Sequence, residues 1–292
     1  MTDAPVSEET QGRLAIIAGG GGLPARIAGI VAASGRPLTV IAVRGEADEA
    51  GLEAFAPHWL DWGQIGRLFT LLASEKCRDV VLIGSIRRRP SLRSLLGDWG
   101  TLRRLPRIIA AIVGGDDNVL KNVVKIFEDE GYRVVGAHDI APQLLAPAGV
   151  LTRAAPDEAA GRDVRTAATL LRAISPFDVG QAAVVARRRV IAVEAAEGTD
   201  QMLVRCATLR REGRIGRGPD GALVKCVKGG QELRADLPTI GPATVAAAAE
   251  ARLSGIAVEA GRVLIADLDA TIAAADAAGL FIVGIEMDGG TP

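Results

Sequence analysis

Histidine is nearly missing from this chain: His58 and His138 are the only two in 292 residues. A zinc centre built on several imidazoles is therefore excluded. Cysteine is almost as scarce. Cys77, Cys206 and Cys226 are odd in number and widely separated. They give neither a disulfide framework nor a close pair of metal-binding thiolates, and they suit a reducing compartment. No uninterrupted apolar run reaches membrane-spanning length, because the alanine-rich stretches break at glycine or polar residues. The opening residues, "MTDAPVSEETQGR", lack the basic-then-apolar order of a secretory leader. A soluble cytoplasmic protein is expected, which leaves room for contact with a membrane surface. An excess of one charge is lacking too. The formal net charge is -1, so no overall field recommends a nucleic-acid partner.

What is present points to a folded α/β protein. Apolar residues make up 49% of the chain and charged residues 24%, which argues against wholesale disorder and supplies a sizeable core. "LAIIA" (14–18) reads as a short buried strand, "GGGGLP" follows, and "ARIAGIVAASG" has helical spacing. "PLTVIAV" (37–43), "DVVLIG" (79–84) and "YRVVGA" (132–137) continue as strands. "LRRLPRIIAAIV" and "NVLKNVVKIFEDEG" read as helices between the last two. Strand runs alternating with helical periods predict a parallel sheet covered by helices, a Rossmann-like N-terminal domain.

The polar, alanine-rich "TRAAPDEAAGRD" (152–163) breaks this order, which suggests a domain boundary. The expected division is a tail over 1–13, a first domain over 14–155 and a distinct mixed α/β domain over 156–292. In the second domain "VRTAATLLRAI" is helix-like and "AAVVARRRVIAVEA" suggests two strands around a basic turn. A helix is expected after "EGTD", with Thr199 or Asp200 as its cap. Strands are expected in "ALVKCV" (222–227), "GIAVEAGRVLIA" (255–266) and "LFIVGI". Helices are expected in "PATVAAAAEARL" (242–253) and "LDATIAAADAAG".

Several stretches are candidates for chemistry, each with a plainer alternative. Gly19, Gly20, Gly21 and Gly22 could bring backbone amides and a helix start against a diphosphate, or could simply form a tight turn. The spacing is not G-x-G-x-x-G, since Pro24 falls on the last glycine position, and the lysine and hydroxyl ending of a P-loop are absent. Pro24 fits the first helical turn. In "GGDD", Gly114 and Gly115 permit close approach, while Asp116 and Asp117 could meet ribose or base, or cap the following helix. Between Ser85 and Arg107 the arginines at 87, 88, 89, 93, 103, 104 and 107 face the single acid Asp98. They could hold phosphate, meet an anionic membrane, or form an outward basic patch.

The second domain mixes signs. "SPFDVGQ" brings Asp178 and Gln181, and "VEAAEGTD" brings Glu194, Glu197, Thr199 and Asp200. "LVKCVKGGQELRADLPTIG" adds Lys225, Lys228, Gln231, Glu232, Arg234, Asp236 and Thr239. Carboxylates could hold Mg²⁺ or Mn²⁺ through hard oxygen ligands while the cationic side chains offset phosphate charge. Carboxylates on turns are also commonly just solvated.

Taken together and in order, these segments resemble the UDP-2,3-diacylglucosamine pyrophosphatase family of Gram-negative lipid A synthesis, the type without a calcineurin-like metallophosphatase fold. The resemblance runs from about Leu14 to Gly284. It is carried by "LAIIAGGGGLP", "VLIGSIRRRPSL", "GGDDNVLKNVVKIFEDEGYRVVGAH", "SPFDVGQA", "VIAVEAAEGTD", "KGGQELRADLPTIGP" and "LDATIAAADAAGLFIVG". It implies a homodimeric cytoplasmic enzyme, peripheral to the inner membrane. That enzyme uses a divalent cation, usually Mg²⁺, and water to split UDP-2,3-diacylglucosamine into 2,3-diacylglucosamine 1-phosphate and UMP, with attack at the uridine-proximal phosphorus.

On this chain the resemblance makes the glycine entrance, Gly19, Gly20, Gly21 and Gly22, and the loop of Gly114, Gly115, Asp116 and Asp117 candidates for the UDP side, with Leu23 and Arg87 as substrate-binding candidates beside them. Asp178, Gln181, Thr199, Gln231 and Thr239 become further substrate contacts. Asp236, Lys225, Lys228 and Arg234 become catalytic candidates, with Asp236, Glu197, Asp200 and Glu194 as the metal candidates. The family motif commonly carries proline and aspartate where Gly229 and Glu232 stand here.

Overall fold

Buried apolar runs ending in glycine build the first sheet. The computed structural model describes residues 12–86, 98, 100–101, 116–216 and 218–287, without the side chains of Asp116 and Asp117. Arg13–Ala18 forms β1, Leu38–Val43 β2, His58–Leu60 β3, Cys77–Ile83 β4 and Arg133–Val134 β5. They lie in the order β3-β2-β1-β4-β5, and every pairing is parallel. The near-continuous burial of β1, β2 and β4 is what strands covered on both faces require. One core gathers Ala15, Ile41, Phe69, Leu72, Val80, Val124 and Phe127, drawn from the strands and from the helices Ile65–Ser74 and Asp116–Asp129. Phe69 stacks at a tilt on Phe127 with ring centroids 5.5 Å apart.

Contacts divide the chain into two compact units. The first runs to Ala141 and also takes in Glu232–Asp236, and the second comprises Pro142–Gln231 and the chain from Leu237 onward. The second unit holds a mixed six-stranded sheet. Its strands are β6 (Gly149–Val150), β7 (Ala182–Ala186), β8 (Arg189–Val193), β9 (Ala222–Lys225), β11 (Gly255–Glu259) and β13 (Phe281–Ile285). Their order is β6-β13-β11-β9-β7-β8. The central β13-β11-β9 pairings are parallel, and the flanking pairings are antiparallel. Short strands β10 (Thr239–Ile240) and β12 (Leu264–Ile265) pair separately.

Side-chain alternation sorts this sheet into two cores. Ala183, Val185, Ala222, Val224, Ala257 and Phe281 face the helix Glu158–Ile174 through Val164, Ala167 and Leu171. Ala182, Val184, Leu223, Ile256, Val258 and Ile282 face the other way. There Met202, Leu203 and Cys206 of the helix Gly198–Arg211 pack with Val245, Ala248 and Ala275. Cys226 lies in the first of these cores and Cys206 in the second, and burial pushes their thiols up to about 12 and about 11. They are protonated packing groups rather than nucleophiles.

The expected α/β architecture is present, a parallel sheet followed by a separate mixed one. Details differ for local reasons. "GIAVEAGRVLIA" is not one strand: it breaks at Ala260–Gly261, where Gly261 takes φ +71°, and its end joins a different sheet. "YRVVGA" keeps only two residues of strand. The basic turn expected in "ARRR" is there, with Arg187 at φ 53° and Arg188 at φ 63°. The carboxylate of Asp163 accepts both of their amide hydrogens, at 2.9 and 2.6 Å. This holds two non-glycine residues in a left-handed conformation that isolated chains disfavour. The helix expected in "LRRLPRIIAAIV" lies outside the described residues.

Candidate active site

In the first unit the glycine entrance separates into two jobs. Gly19 and Gly20 continue β1 alongside the end of β4, with amide bonds to Ile83 and Ser85 of 2.8 Å each. A methyl group on Gly19 would stand 2.7 Å from the Ser85 carbonyl oxygen, and one on Gly20 would stand 2.8 Å from that of Glu46. These two glycines serve close backbone approach. Gly21, at φ +89°, and Gly22 have nothing within 4 Å of such a methyl group. Gly22 caps the helix Leu23–Ala33 without a side-chain bond, and Leu23 itself is buried. This open turn lies where the strand order reverses between β1 and β4, the position at which parallel α/β sheets receive ligands. Arg87, Gly114 and Gly115 lie outside the described residues, as do the side chains of Asp116 and Asp117.

In the second unit the polar residues converge at strand ends. β9 ends at Lys225, whose ammonium donates to the Thr199 hydroxyl (3.0 Å) and to the Thr239 carbonyl (3.1 Å). Thr199 in turn donates to Glu194 Oε1 at 2.8 Å, and the other oxygen of Glu194 accepts the Gln181 amide at 3.0 Å. Beyond β9, Lys228 is buried and forms an ion pair with Asp178. The Gln231 side chain accepts the Lys228 amide at 3.0 Å. Asp178, Gln181, Glu194, Thr199, Lys225, Lys228, Gln231 and Thr239 are thus brought into connected clusters.

Three contributors were not singled out from the sequence. Ser175 accepts the Gly229 amide, so the turn bearing Asp178 is latched to the turn bearing Lys228 at two points. Gly180 lets that turn lie against β8. Glu259, 5% exposed, accepts the Val227 amide at 2.9 Å and fixes the chain between the two lysines. A lone carboxylate inside the apolar run "GIAVEAG" was the available signal.

Glu197 and Asp200 are placed differently. Helix Gly198–Arg211 starts with Glu197 at its cap position but without a side-chain bond. Neither Thr199 nor Asp200 caps it, since the Thr199 hydroxyl is spent on Glu194. Glu197 accepts from Arg205 at 2.8 Å, and Asp200 is exposed in the first turn.

Arg234 and Asp236 sit on the segment that clusters with the first unit. The Arg234 guanidinium grips Glu232 with two bonds of 2.8 Å and donates to Glu128 at 2.7 Å. Those two carboxylates, Glu232 foremost, raise the Arg234 pKa further. The hydrogen bond from Arg234 holds the Glu232 carboxyl below its usual range. Ala235 packs on the first unit's core, and the Asp236 amide bonds the Glu232 carbonyl at 3.0 Å.

A preformed cation cage is not what these donors make. Among the described residues no three His, Cys, Asp or Glu side chains cluster as a metal site. Both oxygens of Glu194 are bonded to Thr199 and Gln181, and Glu197 is paired with Arg205. Within the second unit, Glu194, Glu197 and Asp200 are not gathered into a donor set of the kind a divalent cation takes.

Two α/β units, one with an open glycine turn at a sheet switch point and one with ammonium and carboxylate groups at its strand ends, define a two-unit α/β protein. Comparison makes the kinship specific. The family model described as the LpxI N-terminal domain matches residues 13–144, and that of the LpxI C-terminal domain matches residues 147–283. A curated relative from Caulobacter vibrioides, "UDP-2,3-diacylglucosamine pyrophosphatase LpxI", is 41% identical over 280 residues. That similarity covers 94% of this chain and 98% of the relative. The chain belongs to the LpxI family.

Proposed function

We propose that the protein hydrolyses UDP-2,3-diacylglucosamine to 2,3-diacylglucosamine 1-phosphate and UMP, a step of lipid A synthesis. The observation that carries this reading is near-full-length kinship with the Caulobacter pyrophosphatase, 41% identical over 94% of the chain. Both family domains are matched, so neither half of the relative lacks a counterpart. The polar clusters of the second unit support it. Attack of water on a phosphoanhydride builds charge on the non-bridging oxygens, and cations fixed beforehand stabilise that charge without reorganising. Lys225 and Lys228 are the proposed phosphate contacts, each already held by named partners.

In this proposal Gln181, Gln231 and Thr239 orient substrate and Asp178 holds Lys228. Gly20–Leu23, with Arg87 and Gly115–Asp117, serves the uridine side. Asp236 has the central catalytic role. Arg234 donates three of its five N–H groups to Glu232 and Glu128, and its remaining donors are the ones proposed for a phosphate. A divalent cation, Mg²⁺ or else Mn²⁺, also belongs to the proposal, with Asp236, Glu197 and Asp200 as its carboxylates. It rests on the resemblance rather than on a gathered donor set. Homodimerisation and contact with the cytoplasmic face of the inner membrane rest there too. Among the described residues no helix is long and apolar enough to cross a membrane.

The test is turnover of UDP-2,3-diacylglucosamine by purified protein in oxygen-labelled water, with and without chelation and added Mg²⁺. UMP carrying the label, formed only with the cation, is expected. Label confined to the lipid phosphate would move the attack to the other phosphorus. Full turnover after exhaustive chelation would remove the cation, and absence of turnover under all conditions would end the reading.

A further inference from the structure

The direction of each hydrogen bond around Thr199 is forced by chemistry. An ammonium only donates, so the 3.0 Å contact from Lys225 makes the Thr199 oxygen an acceptor. A hydroxyl has one proton, and here it points to Glu194 Oε1, 2.8 Å away. The remaining Glu194 oxygen takes the Gln181 amide hydrogen at 3.0 Å. Both oxygens of the Glu194 side chain therefore act as acceptors. The result is a one-way line from Lys225 through Thr199 to Glu194, anchored on the backbone at Gln181. Thr199 is only 9% exposed, so water does not readily substitute for either partner.

We propose that Glu194 is a positioning residue that acts through Thr199 to fix the ammonium of Lys225, and is not a metal ligand. This rests on the hydrolytic reading above, in which Lys225 meets the diphosphate, and it deepens that reading. The line gives Lys225 one defined place at the end of β9, with the Thr239 carbonyl as its second anchor. A glutamine at 194 has one acceptor oxygen and one donor nitrogen. It must either face its nitrogen to the Gln181 amide or turn the Thr199 hydroxyl away. Either choice breaks the polarity of the line and lets the ammonium wander. A cation ligand would behave otherwise, because its loss weakens the cation rather than the lysine.

The experiment compares Glu194→Gln, Thr199→Val, their double variant and Thr199→Ser with wild type, at saturating substrate and across a Mg²⁺ titration. Glu194→Gln is expected to lower kcat about 10- to 100-fold with the Mg²⁺ concentration for half-maximal rate unchanged. Thr199→Val should match it, the double variant should be no worse than either single one, and Thr199→Ser should recover most of the loss. A rightward shift of the Mg²⁺ curve in Glu194→Gln, additive losses, or unchanged kcat each overturns the proposal. A readout independent of turnover is the ammonium signal of Lys225 in protein carrying nitrogen-labelled lysine, assigned with Lys225→Arg. It should move in both single variants, and an unmoved signal overturns the proposal even where a variant melts early. Inactive wild type with a signal that moves would defeat the hydrolytic reading while leaving the hydrogen-bonded line intact.

Discussion

At Gly180 the absence of one methyl group decides where a whole turn lies. A β-carbon there would come 2.2 Å from the Glu194 carbonyl oxygen and 2.7 Å from its carbon. Backbone on both sides leaves nothing flexible to yield. Gly180→Ala should therefore push the Asp178–Gln181 turn off β8, cost about 3 kcal/mol of stability, and break the Gln181–Glu194 bond. Gly22→Ala is the contrasting case. Its methyl group meets nothing within 4 Å at an ordinary φ of -78°, so only the poorer N-cap preference of alanine counts against it, about 1 kcal/mol or less. If the turn receives a phosphate, Gly22→Ala should still weaken UMP binding, measured by titration calorimetry beside a melting curve. Equal melting with equal UMP affinity would take Gly22 out of the site. Both residues were visible in the sequence, but only the turn at Gly22 announced itself, as part of a glycine run. Gly180 is a lone glycine whose reason lies in a chain segment fourteen residues away.

At the scale of elements, Asp79 shows what apolar patterning hides. It occupies β4 at 3% exposure, opposite Arg133 of β5 in register. Arg133 grips it with bonds of 2.7 and 2.8 Å, and Arg36, at the entry to β2, forms a second ion pair with it. Burial alone would push the Asp79 carboxyl up, but the hydrogen bonds and charges of the two arginines outweigh it and hold the carboxyl below its usual value. A depressed carboxyl contributes stability that is fully present above the unfolded pKa, about 3.9. That contribution disappears as pH falls through the lower folded value. Asp79→Asn should cost about 3 kcal/mol at neutral pH. The gap to wild type in denaturant unfolding should close as pH drops below about 4. A gap that persists in acid would mean that the charge is not what holds β4 to β5.

Strand and helix periods made the parallel sheet legible from "LAIIA", "PLTVIAV" and "DVVLIG". The His58–Leu60 strand was not legible, because three residues of mixed polarity carry no period. Similarly, "AVEA" gave no sign that β11 and β12 belong to different sheets. That break depends on the turn at Gly261 and on which neighbour offers an open edge.

At the scale of the whole chain, residues 225–239 read as a single polar centre, yet connectivity divides them. The chain leaves the second unit at Gln231, gives Glu232–Asp236 to the first, and returns at Leu237. Spacing does not reveal which core a five-residue run rests on, and Ala235 settles it by packing on that of the first unit. What remains is a question about Arg234, which could anchor this segment or contact a phosphate. Its bond to Glu128 links two side chains 36% and 44% exposed, so losing it should cost less than about 1 kcal/mol. Glu128→Gln removes that carboxylate's charge while sparing the two-pronged grip on Glu232. Arg234→Ala removes both, together with any phosphate contact. If Arg234 meets substrate, Arg234→Ala should lower kcat/KM at least about tenfold while Glu128→Gln stays within about threefold. Comparable losses in the two variants, with matching shifts in melting temperature, would make Arg234 an anchor of its segment and leave the phosphate charge to Lys225 and Lys228.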